Sequence, residues 1–105
     1  MTDFDYQQLD EMIHSRIRLA IMASLAATSN LPFTTLREQI GTTDGNLSVH
    51  LRKLEDAGYV QVDKQFVNRR PLTLYALTND GREAFDTYVT YLESILRPSQ
   101  AQKEN

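Results

Sequence analysis

Among the 105 residues, the run from Thr42 to Gly58, TTDGNLSVHLRKLEDAG, leaves the chain the fewest ways to fold. Leu47, Leu51 and Leu54 recur at steps of four and three. That spacing stacks them on one side of a helix turning every 3.6 residues and points Ser48, Val49, Arg52 and Lys53 elsewhere. Thr43 has the side chain of an N-cap, and Gly58 is placed to close the helix with a left-handed residue. The first turn holds Asp44, Gly45 and Asn46, small or hydrogen-bonding residues that let this end approach another surface closely. An ordinary amphipathic helix with a solvated polar side would also satisfy the pattern, so the flanking segments have to decide.

Upstream, Phe4, Leu9, Met12 and Ile13 sit at helical spacings and predict a short opening helix. Ser15 reads as the cap of a better one, in which Ile17, Ile21, Met22 and Leu25 form an apolar face among alanines, ended by Thr28, Ser29, Asn30 and Pro32. Thr35 and Glu38 then have capping-box spacing, Leu36 and Ile40 lie one turn apart, and Gly41 is placed to stop the segment. A short helix, a tight turn and the Thr42–Gly58 helix must cross at a large angle, which is the geometry of a helix-turn-helix.

After Gly58 the period changes. Residues 59–64, YVQVDK, alternate as a half-buried strand does, and 72–77, LTLYAL, form a second run of strand-favouring residues. Val67, Asn68, Arg69, Arg70 and Pro71 lie between them, so the two runs predict an antiparallel hairpin with two arginines at or beside its tip. Hairpin tips are usually polar for solvation alone; directly after a candidate recognition helix, the arginines gain a second reading as a wing. Thr78 opens a last helix whose apolar stripe, Phe85, Val89, Leu92 and Leu96 broadened by Tyr88, Tyr91 and Ile95, is wider than a small monomer needs. Pro98 is expected to stop it, leaving 99–105 as a polar tail expected to be disordered.

Length allows one domain, residues 1–98, with a thin core if the chain stands alone, which makes self-association an expectation. The absence of cysteine removes disulfides, thiolate metal sites and cysteine nucleophiles, and suits a reducing compartment. No apolar run reaches membrane-spanning length and the acidic start is unlike a signal peptide, so the sequence reads as soluble and cytoplasmic, with no membrane partner. The net charge of −3 is unevenly spread. Residues 31–77 carry six basic and five acidic side chains, whereas both flanks have an acidic excess. That is a weak footprint for a polyanion, bounded by ends that resist non-specific binding.

In order, these pieces resemble the small MarR/ArsR-like winged-helix transcriptional regulators. The likeness is carried by Gly45 to Glu55, Ala57-Gly58-Tyr59-Val60, Arg69-Arg70-Pro71, Thr73, Tyr75, Leu77-Thr78 and Gly81-Arg82, across about residues 9–97. The resemblance implies an α+β fold, mainly helical with a β-hairpin wing, in which N- and C-terminal helices dimerise. It implies a homodimer on a pseudo-palindromic operator in double-stranded DNA, with Gly45, Asn46, Ser48, Val49 and Arg52 near base edges and Arg69 and Arg70 on the flanking backbone or minor groove. Thr43, Lys53 and Asn68 complete the expected DNA-facing set; Leu9, Met12, Ile13, Phe85, Tyr88, Val89, Leu92, Ile95 and Leu96 form the expected dimer set.

One branch of such regulators senses metals, and here the chain departs from the pattern. His14 and His50 fall on different segments with no acidic residue at a ligand spacing, so no metal or other cofactor is expected, and His50 is expected beside Leu47 and Leu54 or on a phosphate. Related regulators take small ligands in a cleft between dimer helices and the DNA-binding part, which leaves room for an effector the sequence does not identify. The competing class is a winged helix used as a protein-interaction module without DNA, favoured by the acidic total and opposed by the wing arginines. No phosphate loop, nucleophile with a placed base or carboxylate cluster points to an enzyme.

Overall fold

The computed structural model describes residues 5–97. Phe4, Pro98 and the 99–105 tail, on which the sequence also raised expectations, lie outside them. The elements run α1 (Arg16–Ala27), β1 (Leu31–Pro32), α2 (Phe33–Ile40), α3 (Asp44–Asp56), β2 (Val60–Val67), β3 (Arg70–Leu77) and α4 (Asn79–Leu96). One antiparallel sheet has the order β1-β3-β2. Four α-helices around a three-stranded sheet make the α+β class expected from the sequence.

Three helices begin where a hydroxyl side chain accepts from an otherwise unpaired N–H of the first turn. Ser15 accepts from Arg18 at 3.4 Å, Thr43 from Asn46 at 3.2 Å and Thr78 from Gly81 at 2.9 Å. The fourth differs from expectation. Pro32 is the N-cap of α2 without a side-chain bond, and Thr35 stands inside the helix. The reason is β1, which the sequence reading missed: Leu31 and Pro32 pair with Tyr75 and Leu74, and the chain passes from that bridge straight into α2.

The core is assembled from one stripe per element. Ile13, Ile21, Met22, Leu25, Leu36, Leu47 and Leu54 are fully buried, and Leu51, Val60 and Leu77 close the cluster. In place of a short opening α-helix, Tyr6–Gln8 makes a single 3-10 turn and residues 5–15 lie as a strap against the body. Its polar ties explain why. The Asp10 carboxylate accepts from the Met12 N–H at 2.8 Å and from the Tyr59 hydroxyl at 2.5 Å. The Tyr91 hydroxyl accepts from the Asp5 N–H and donates to the Asp5 carbonyl, and His14 Nδ1 lies 2.6 Å from the Tyr88 hydroxyl. The bond to Asp10, with burial second, pushes the Tyr59 phenol up to about 12.

The strap corrects part of the expected dimer set. Ile13 is 0%, Tyr88 3% and Leu9 9% exposed, so packing within the chain leaves these side chains little surface for a second copy. Met12, Phe85, Val89, Leu92 and Ile95 are half-buried, while Leu96 is 68% exposed. Even so, the molecule is elongated, 59 × 25 × 22 Å with a radius of gyration of 16.0 Å, against about 13 Å for a compact chain of this length.

One junction fixes how α4 leaves the body. The Thr78 N–H donates to the Tyr59 carbonyl at 3.0 Å and its hydroxyl to the Gly58 carbonyl at 2.6 Å. Gly81 then packs on the same Tyr59 backbone, where any Cβ would collide with the carbonyl oxygen. The C-terminus of α3, the start of β2 and the first turn of α4 therefore meet at a single point.

Candidate nucleic-acid interface

Leu47, Leu51 and Leu54 hold α3 by its buried side and thereby set what the other side shows. Gly41, left-handed at φ 77°, ends α2, and only Thr42 and Thr43 separate it from α3. A turn this short fixes the angle between the two helices. Thr43, Gly45, Asn46, Ser48, Arg52 and Lys53 are exposed, and Val49 is 54% exposed although apolar. The structure thus brings the seven sequence-predicted residues of this helix and its cap onto solvent together. Gly45 has open space where a side chain would stand, which keeps the first turn low.

Charge on this face is arranged by two ion pairs. Asp44, the acid of the first turn, is paired with Arg37 at 2.8 Å, which partly offsets its charge at that end of the helix. Arg52 lies 3.7 Å from Asp56 one turn on, both exposed. Such a pair is worth roughly 0–1 kcal/mol, so the guanidinium can leave it for a stronger acceptor. His50 departs from expectation: Arg18 Nη1 lies 2.9 Å from its Nδ1, while Arg18 Nε donates to the Met12 carbonyl at 2.6 Å. Because a guanidinium only donates, Nδ1 must accept, which leaves the histidine N–H on Nε2. Burial first, then Arg18 and Lys53, hold the His50 pKa below its ordinary 6.5. Sequence periodicity had no means of finding Arg18, whose partner is 32 residues away.

The hairpin is longer than expected. β2 and β3 pair in register from Val60↔Leu77 to Val67↔Arg70, leaving Asn68 and Arg69 alone as the loop. Both have positive φ, 52° and 66°, as a two-residue turn of the kind that follows strand twist requires. Glycine is the default at the second position, and a side chain held left-handed there costs about 1–2 kcal/mol. The chain keeps an exposed arginine at that point. Asn68 serves the turn, and Arg70 begins β3 opposite Val67. Ser48, Leu51, Arg52 and Glu55 of α3 and Val62, Lys64 and Tyr75 of the hairpin line one open groove, so helix and wing face a common space.

Comparison with known proteins adds to this geometry. A relative in Methanocaldococcus jannaschii, an uncharacterised protein, is 38% identical over 79 residues, 75% of this chain and 86% of that one. The structure of a transcriptional regulator homologue from Pyrococcus horikoshii superposes with a TM-score of 0.74 at 30% identity, covering 88% of this chain and 96% of the other. A MarR-family regulator from Enterococcus faecalis shares the fold at a TM-score of 0.75 and 21% identity, over 100% and 98% of the two chains. Residues 17–96, from α1 to the end of α4, match the family described as winged helix DNA-binding domain. With an exposed polar face on α3, an arginine-tipped hairpin and this match over most of its length, the chain belongs to the winged helix DNA-binding domain family of regulators.

Proposed function

We propose that the chain acts as a homodimer on a pseudo-palindromic operator in double-stranded DNA and regulates transcription by occupying it. In this reading Gly45, Asn46, Ser48, Val49 and Arg52 approach base edges in the major groove, with Thr43 and Lys53 beside them. Arg69 and Arg70 hold the flanking backbone. The observation that carries the reading is Arg69, a side chain kept in a left-handed turn where glycine would be easier. Leu96, bare at the far end of α4, together with the molecule's elongation, supports pairing through that helix. A small-molecule effector is part of the proposal, supported by an open groove between strap and α4 lined by Leu9, Asp10, Tyr59, Glu83 and Tyr88.

Selection of bound sequences from random duplexes, with the mass in solution measured alongside, tests it. The expected result is an inverted repeat whose half-sites lie about one helical turn apart, near 34–36 Å, bound by two chains. No enrichment of any duplex, or a single chain on a single half-site, would overturn it.

A further inference from the structure

Phe66 is 78% exposed. Single exposed apolar residues need no explanation, but the strand register gives this one a place. Directly opposed residues share a sheet face, and faces alternate along a strand. Val60, Val62, Lys64 and Phe66, with Leu77, Tyr75, Thr73 and Pro71 across from them, therefore form one face. At its base that face is the one turned toward α3, where Val62, Lys64 and Tyr75 share a groove with Ser48 and Arg52. Past Lys64 it continues outward as Phe66 beside Pro71. In a two-residue hairpin Val67 and Arg70 are the hydrogen-bonded closing pair, so Phe66 and Pro71 fall at a non-hydrogen-bonded position. There Pro71 sacrifices no bond to β2 and the two side chains approach most closely.

From Lys64 outward this face holds no carboxylate: Asp63 and Gln65, bonded to each other at 2.7 Å, lie on the opposite one. Phe66 is thus a bare ring on the face that carries Lys64, with Arg69 in the adjoining two-residue turn and Arg70, paired with Val67, on the opposite face. Cations around an apolar projection fit a polyanion with apolar walls, as the sugar-lined minor groove is. Reach agrees. Four residues of strand carry Phe66 about 13 Å beyond Val62, and adjoining major and minor grooves are about half a helical turn, roughly 17 Å, apart.

Resting on the DNA reading above, we infer that Phe66, backed by Pro71, is an apolar wedge that enters the minor groove beside the segment faced by α3. It partly unstacks a base step and bends the duplex. Pyrimidine–purine steps unstack most easily, so the wedge makes the flank sequence matter where no hydrogen bond reads it.

The test measures affinity, salt dependence and DNA bending for wild type, Phe66→Ala and Phe66→Leu. The duplexes carry a selected site flanked by either a TA step or an A-tract. Melting of each variant confirms that an exposed side chain was changed without loss of the fold. The expected result is a loss of about 10-fold for Phe66→Ala on the TA flank, little loss on the A-tract, and a wild-type bend within about 20–90° that disappears in Phe66→Ala. Phe66→Leu should retain part of both, and the salt slope should be unchanged, because no phosphate contact is removed. Wild-type binding with the same affinity and bend in Phe66→Ala overturns the wedge and leaves the DNA reading standing. A loss equal on both flanks with a flatter salt slope, or a change in self-association with bending intact, overturns it as well. Absence of duplex binding by wild type overturns the DNA reading itself, and the wedge with it.

Discussion

Arg52 stands on the side of α3 away from its leucines, tied only by a loose pair to Asp56. Exchanging that acceptor for a guanine edge gains two directed bonds at little expense to the fold. Arg52→Ala should therefore weaken a selected site by about 1–3 kcal/mol and relax preference at one base position. Selection repeated with the mutant checks this, and unchanged selectivity would reassign the residue to the backbone. His50 gives a pH prediction whose sign follows from its depressed pKa. As pH falls through 6.5 the unfolded chain takes up this proton before the folded one, so stability present above that value is lost on acidification. The imidazolium can no longer accept from Arg18, and two cations then face each other between α1 and α3. Denaturant titrations between pH 7.5 and 5 should, on the order of the usual histidine range, show a falling midpoint that is flatter in His50→Gln. Parallel curves would remove His50 from that role.

At the scale of elements, the wing sets stability and binding against each other. Arg69→Gly should stabilise the hairpin by about 1 kcal/mol, since glycine adopts the left-handed turn without strain. The same change should weaken all duplexes alike and flatten the salt dependence by about two units per dimer, one phosphate from each wing. Melting and salt titrations of one mutant read both signs, and a tighter-binding Arg69→Gly would contradict the wing's role. What the sequence could say about these elements depended on how local their causes are. Thr43, Ser15 and Thr78 announce their helices because a cap is settled within four residues, and Gly41 and Gly58 because left-handed backbone needs them. Thr35 misled for the complementary reason: α2 starts where Pro32 leaves a strand whose partners are some forty residues away. The opening strap was equally illegible, since Asp10 meets Tyr59 and Asp5 meets Tyr91 only through the fold. Most residues of the candidate interface were readable as the side of α3 that leucine does not occupy, whereas Phe66 looked like one more strand residue until the register placed it.

For the whole molecule, a strap that buries Ile13 and Tyr88 narrows the surface left for a second copy to α4's outer positions and its end. Leu96→Asp tests that surface without touching the core: an exposed site tolerates the change within about 0.5 kcal/mol, while a dimer would have to bury an unpaired carboxylate. Sedimentation should show single chains with an unchanged melting transition, and a persistent dimer would move the contact elsewhere. In the proposed dimer the junction of Gly58, Tyr59, Thr78 and Gly81, where α4 is tied to the body, is the point about which that helix would tilt as on a fulcrum. The 18 residues of α4 form a lever arm about 27 Å long, whose far end travels about 0.5 Å per degree of tilt. In the proposed dimer the two far ends are clasped, so a change in their crossing angle is transmitted through each fulcrum into the distance between the two α3 helices. B-form DNA is a ruler of fixed pitch, and a protein built as a pair of calipers loses its grip when the handle moves.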